Sequence, residues 1–198
     1  SSFYHVAVAA GVPIALGAFD FAQRRVVVDS FLTPSGEAWC WGNNEYGQLG
    51  APTAKSCSGG FIACSWQPVR AQPPFRFAEL SLSRRHGCGI DTAGQTWCWG
   101  FGLGGQLGNG ANADSAAPVA VAGGHRFVHV DAGSDGLLSC ALDSAGVAWC
   151  WGPGDSGGLG NGTTDGAAGL HISVRDECRT AQANLATGSP CSCTRRAT

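Results

Sequence analysis

The tetrapeptide Trp-Cys-Trp-Gly occurs three times, at 39–42, 97–100 and 149–152, each time inside a longer match. The first two matches end in Gly-Gln-Leu-Gly, at 47–50 and 105–108, and the third in Gly-Gly-Leu-Gly at 157–160. The central cysteines, Cys40, Cys98 and Cys150, are spaced by 58 and then 52 residues. Self-similarity at a period near 50 marks propeller blades or solenoid turns, units that bury their faces only by stacking on one another. A shared surface is therefore the place to look for function.

Each repeat centres on a hairpin. Cys88 and Cys98 flank Asp91-Thr92-Ala93-Gly94, and Cys140 and Cys150 flank Asp143-Ser144-Ala145-Gly146. A three-residue loop with glycine in the left-handed position makes a type I turn with a G1 bulge. Counting outward from residue 93 opposes 88 to 98 as a non-hydrogen-bonded pair, with Cα atoms about 4.5 Å apart and within disulfide reach. The same count opposes 140 to 150. Two cross-strand disulfides are predicted, Cys88–Cys98 and Cys140–Cys150. In the first repeat Ser30 stands opposite Cys40, which is expected to be free or paired elsewhere. Cys57 and Cys64 are expected to close the insertion that lengthens the first period, while Cys178, Cys191 and Cys193 have no counterpart in the repeat.

Ten cysteines in 198 residues suit an oxidising compartment better than a reducing cytosol. The expected location is extracellular or the cell envelope. The formal charge of −2, with no run of Lys or Arg, argues against a nucleic-acid surface. No stretch of 18 apolar residues offers a membrane span. Val6 to Phe19 resembles the apolar region of a signal peptide, but Arg24 and Arg25 follow it instead of preceding it. The lack of any methionine fits a processed product, an excised domain or a fragment.

The expected fold is all-β, an incomplete or open arc of about three to four propeller blades. Residues 1–30 read as a degenerate or partial blade, because they lack the Cys-x-x-Asp hairpin entry. Residues 31–165 hold three propeller repeats. Residues 166–198 form an atypical C-terminal segment, partly disordered, with a short helix over Asp176 to Leu185. Side chains alternate along a strand, so the tryptophans of each Trp-Cys-Trp share one face and the cysteine takes the other. The tryptophans read as blade-to-blade packing, ahead of a light-sensing or aromatic-ligand role.

With Cys88-Gly-Ile-Asp-Thr-Ala-Gly-Gln-Thr-Trp-Cys-Trp-Gly followed by Gly105-Gln-Leu-Gly-Asn-Gly, and Cys140-Ala-Leu-Asp-Ser-Ala-Gly-Val-Ala-Trp-Cys-Trp-Gly followed by Gly158-Leu-Gly-Asn-Gly-Thr, the chain resembles the regulator-of-chromosome-condensation repeat family, particularly its secreted bacterial type. The resemblance covers about residues 30–165. His86 matches a histidine common in that family, and Leu138 is its counterpart in the third unit. The resemblance implies a β-propeller, usually of seven four-stranded blades, which about three and a half units cannot close. Members of the family include a nuclear nucleotide-exchange factor for a small GTPase, a plant ultraviolet receptor and a bacterial β-lactamase inhibitor, so the fold does not fix the function.

Other motifs are set aside. Gly154-Asp155-Ser156-Gly157-Gly158 imitates a trypsin-like nucleophile segment, yet it occupies a repeat loop and lacks a histidine and carboxylate in the protease context. Cys178, Cys191 and Cys193 fit no common zinc spacing. No catalytic residue, metal or cofactor is expected. The loops after each Trp-Cys-Trp vary between units, which nominates Asn43, Asn44, Glu45 and Tyr46, then Phe101 and Leu103, then Pro153, Asp155 and Ser156, as a surface that contacts another protein. The expected function is that of a non-enzymatic binding module of a secreted or envelope protein. The alternatives are a guanine-nucleotide exchange or regulatory factor for a small GTPase, and a purely structural domain of a larger surface protein.

Overall fold

Asp91 and Asp143 organise the two hairpins identically. Asp91 Oδ1 accepts from the backbone N–H groups of Ala93 at 2.8 Å and Gln95 at 2.9 Å, and Asp143 Oδ1 accepts from Ala145 and Val147, both at 2.9 Å. Gly94 and Gly146 sit at φ of +81° and +79°, the left-handed residue that closes a G1 bulge and that only glycine adopts freely. The carboxylates also reach the first tryptophan of each repeat: Trp97 Nε1 donates to Asp91 Oδ2 at 2.9 Å and Trp149 Nε1 to Asp143 Oδ2 at 3.3 Å. Desolvation at Asp143 opposes ionisation, but the bonds from Val147, Trp149 and Ala145, together with His125, outweigh it and hold its pKa below the ordinary value.

The computed structural model describes residues 18–20, 25–32, 36–52, 55–57, 62–72, 76–133, 135–155, 157–160, 164–166 and 173–174. They form three antiparallel sheets, one per repeat. The first takes β1 (Ala18–Asp20), β2 (Arg25–Leu32), β3 (Ala38–Asn43), β4 (Lys55–Cys57) and β5 (Ile62–Arg70), in the order β1-β2-β3-β5-β4. The second takes β6 (Phe77–Leu82), β7 (His86–Asp91), β8 (Thr96–Gly100) and β9 (Ser115–Ala120) in sequence order. The third takes β10 (Phe127–Asp131), β11 (Ser139–Asp143), β12 (Ala148–Trp151) and β13 (Ser173–Val174), again in sequence order.

Two boundaries differ from the sequence reading. Within residues 1–30, the described strands β1 and β2 hydrogen-bond into the first sheet, with Ser30 opposite Cys40. The Cys-x-x-Asp pattern that marks the other two hairpins is missing there, which hid the join. The third blade also extends past residue 165, since Ser173 and Val174 pair with Trp149 and Ala148. The expected helix over 176–185 and Cys178, Cys191 and Cys193 lie outside the described residues.

The register places Cys88 opposite Cys98 and Cys140 opposite Cys150, and both pairs are disulfide-bonded with Cα atoms 4.1 Å apart. Cys64 is disulfide-bonded too; the Cys57 side chain, its expected partner, lies outside the described residues. Cys40 is a buried free thiol, its pKa pushed up to about 12 by desolvation, so it carries no thiolate at neutral pH. Each hairpin disulfide closes a loop of roughly 11 residues, worth about 2.5 kcal/mol in the chain-entropy account. Replacing Cys88 and Cys98 together with alanine is therefore expected to lower the unfolding free energy by about that amount. Urea titration of the variant beside the wild type would measure it.

The second tryptophans of the second and third repeats join each of these blades to the one before. Trp99 Nε1 donates to the Gln48 carbonyl at 3.0 Å, and Trp151 Nε1 donates to the Gln106 carbonyl at 2.7 Å. Both rings are fully buried, Trp99 beside Phe77 and Trp151 beside Phe127. The glycine that ends each loop admits the indole: a Cβ on Gly108, at φ +64°, would stand 2.7 Å from Trp151 Nε1. The tryptophans of one Trp-Cys-Trp thus divide two tasks, the first bracing its own hairpin and the second tying its blade to the loop of the blade before.

Candidate functional site: the crown of inter-strand loops

The loops after β3, β8 and β12 fold alike. In the first, Gly47 N–H donates to the Asn44 carbonyl and Gly50 N–H to the Gly47 carbonyl; Gly105 and Gly108 bond in the same way to Gly102 and Gly105, and Gly157 and Gly160 to Gly154 and Gly157. Leu49, Leu107 and Leu159 are fully buried beneath these turns. The loops are pinned from below by their leucines, and the first two also from the side by Trp99 and Trp151 of the next blade. A scaffold held this firmly can present variable side chains in fixed positions.

Those side chains meet across the blades. Tyr46 of the first loop packs edge-on against Phe101 of the second, with ring centroids 5.1 Å apart. The Arg85 guanidinium lies 5.6 Å from the centroid of the Phe101 ring, and the Phe101 N–H donates to the Arg85 carbonyl at 2.9 Å. At the next seam the same step is flat: Gly104 and Pro153 replace the aromatic pair, and a Cβ on Gly104 would lie 3.1 Å from Pro153 Cδ. Leu103 is 60% exposed and Leu137 42% exposed. Glu45 and Asp155 are exposed at the tips, whereas Ser156 lies outside the described residues.

Asn44 is corrected by the structure. It is 7% exposed, and its side chain accepts from Leu49 N–H at 2.9 Å while donating to the Ala51 carbonyl at 3.0 Å. It is buried and holds the turn. Asn43 is half-buried and does similar work: its Oδ1 accepts from Glu45 N–H at 2.8 Å and from Gln48 Nε2 at 3.0 Å. Its counterpart Phe101 cannot accept, and the corresponding amide, Gln106 Nε2, is buried without a hydrogen-bond partner among the described residues. Such an orphan costs roughly 1–3 kcal/mol. A local rule broken in the second loop but kept in the first, with an aromatic ring placed on the surface in exchange, is the pattern expected of a functional site.

Arg85 and Leu137 were missed from sequence because they precede the hairpins instead of lying in the variable loops. Both stand three residues before the hairpin cysteines Cys88 and Cys140, and that shared offset is the signal that could have found them.

Beneath the crown a polar seam joins the second and third blades. His86, fully buried, lies 2.8 Å through Nε2 from Ser139 Oγ and 3.1 Å through Nδ1 from Ser83 Oγ. Ser139 donates to the Gln106 carbonyl at 3.0 Å, the acceptor also used by Trp151. Desolvation lowers the His86 pKa to about 4, against smaller opposing contributions from the Gly136 backbone and the Asp135 charge, so the ring is neutral at pH 7. Among the described residues no group of three or more His, Cys, Asp or Glu could hold a metal ion, and no helix is long and apolar enough to cross a membrane.

Stacked antiparallel sheets, the second and third each tied by a tryptophan to the preceding loop, define a β-propeller repeat protein. The Regulator of chromosome condensation (RCC1) repeat model matches residues 35–90 and 93–139, more than half of the chain; the chain belongs to the RCC1 repeat family. It is 31% identical over 137 residues to human E3 ubiquitin-protein ligase HERC2, covering 68% of this chain and 3% of that protein. To the Arabidopsis thaliana RCC1 domain-containing protein RUG3, mitochondrial, it is 27% identical over 123 residues, 61% of this chain and 26% of that one. Among solved structures it superposes on Prp20p from Saccharomyces cerevisiae with a TM-score of 0.60 at 19% identity, covering 76% of this chain and 37% of Prp20p. Human WBSCR16 gives a TM-score of 0.59 at 19% identity, over 74% of this chain and 37% of the other. The chain thus spans a small part of each relative's length.

Proposed function

We propose that this chain is a non-enzymatic protein-binding propeller module of an exported protein, engaging its partner through the crown of Tyr46, Arg85, Phe101, Leu103, Leu137 and Pro153. The observation that carries the reading is Phe101. It stands where the first loop has Asn43, one of the two acceptors of Gln48 Nε2, and it builds an aromatic step with Tyr46 beside the exposed Leu103. Aromatic and arginine side chains grouped near exposed aliphatic ones are the usual anchors of a protein interface. Export is supported by the hairpin disulfides, which a reducing compartment would not maintain.

Phe101→Asn tests this reading. The new side chain offers Gln106 the acceptor that Asn43 offers Gln48, a gain of about 1 kcal/mol that offsets the lost aromatic contact of similar size. The expected result is an unfolding midpoint no lower than that of the wild type, with capture of the extracellular partner reduced by about tenfold or more. Unchanged capture would refute the crown as the binding face. Prp20p, similar in fold, binds Gsp1p and histones, and a GTPase regulator is the second reading. It would be favoured if the captured partner were a small GTPase and the hairpin cysteines were reduced in protein taken from its native compartment.

A further inference from the structure

We infer that the crown takes a basic segment of its partner, with an apolar side chain of that segment on Leu103 and Lys or Arg residues to either side; this rests on the crown being the protein-binding face. Glu45, Leu103 and Asp155 occupy the same place in the three loops, three residues after Gly42, Gly100 and Gly152, in turns closed by the same backbone hydrogen bonds. Along the row of blades the tips therefore run acid, leucine, acid. Both carboxylates are exposed, and Leu103 is 60% exposed between them. Two further exposed carboxylates stand at this end, Asp114 accepting from Gly102 N–H and Asp135 from Leu137 N–H. Against them are Arg84 and Arg85, and Arg85 is occupied by the Phe101 ring.

A second observation points to the same place. The unpartnered Gln106 amide, fully buried, lies directly beneath the Gly104–Pro153 step that adjoins Leu103: a Cβ on Gly104 would be 3.1 Å from Gln106 Nε2. An uncompensated donor calls for a carbonyl oxygen, which the backbone of an extended segment brings, while the flanking carboxylates suit positive charge on the side chains of that segment. The anchor would supply most of the affinity through desolvation. The charges would supply orientation, faster association and a dependence on salt, since the Debye length is about 8 Å at physiological ionic strength.

The test uses the whole chain and a fluorescein-labelled ten-residue peptide bearing a central Leu-Phe pair between two Lys-Arg pairs. A control peptide carries Asp-Glu pairs in their place, and binding is read by anisotropy at low and physiological salt. The basic peptide is expected to bind and the acidic one not to bind. Glu45→Gln with Asp155→Asn should weaken binding about tenfold and flatten its salt dependence, and Leu103→Ser should weaken it about tenfold at both salt concentrations. All three positions are exposed, and near-ultraviolet circular dichroism would verify that the variants remain folded. Equal binding of the two peptides, no binding of the basic one, or indifference to the charge variants would overturn the inference. If capture of the natural partner is lost in Leu103→Ser but not in the charge pair, the basic-segment inference fails while the crown reading stands; if capture survives Leu103→Ser, the crown reading itself fails.

Discussion

Trp151→Ala is expected to destabilise the chain by about 4 kcal/mol, while Trp151→Phe should cost roughly half as much. The alanine variant empties a fully buried site between the second and third blades, where the ring packs on Phe127. The phenylalanine variant keeps most of the apolar contact and removes the indole donor. Its Gln106 carbonyl is not orphaned, because Ser139 also donates to it at 3.0 Å, which limits the penalty. Chemical denaturation of both variants would measure the difference. Equal losses would show that the hydrogen bond across the blades, and not the packing, carries the interface.

Acid is expected to loosen the same seam. The His86 pKa lies at about 4 in the folded chain, against 6.5 for the free side chain, so the unfolded state binds more protons between those values. Stability from the neutral ring is complete above about pH 6.5 and falls as the pH drops toward 4, by about 3 kcal/mol in all. Asp135 is the charged group acting on His86, and its attraction is already included in that pKa. The Asp143 carboxylate, held below its ordinary value of 3.8, titrates beneath this window. His86→Leu places there the residue that the third blade carries at Leu138. It leaves neither serine stranded, since Ser83 Oγ donates to the residue 86 carbonyl at 2.7 Å and Ser139 to Gln106. The variant should be less stable than the wild type at pH 7.5, with a nearly flat profile between pH 5 and 7.5. Persistence of the wild-type slope in the variant would remove His86 as its cause.

The sequence made the hairpins legible because their determinants are local. An aspartate, a glycine three residues on and cysteines at matching distances fix turn, register and disulfide in the second and third blades. The first blade was harder to read, since Ser30 replaces the cysteine opposite Cys40 and the Cys-x-x-Asp signature is missing. The crown was half legible. Variation between loops pointed to Tyr46, Phe101 and Leu103, but it also nominated Asn44, whose work is structural, and it missed Arg85 and Leu137. Those assignments depend on which loop position meets its neighbour across a blade seam, a relation set by stacking and not by local sequence. The buried link from His86 to Ser139, 53 residues apart, was hidden for the same reason.

The most direct measurement places a photo-crosslinking amino acid at position 103 and, as a control, at position 144, on the exposed hairpin turn at the opposite end of the third blade. Each protein is irradiated in its native compartment and the adduct is mapped by mass spectrometry. Binding through the crown requires a single protein adduct from position 103 and none from 144. Adducts from 144 alone, or no adduct from 103, would contradict it.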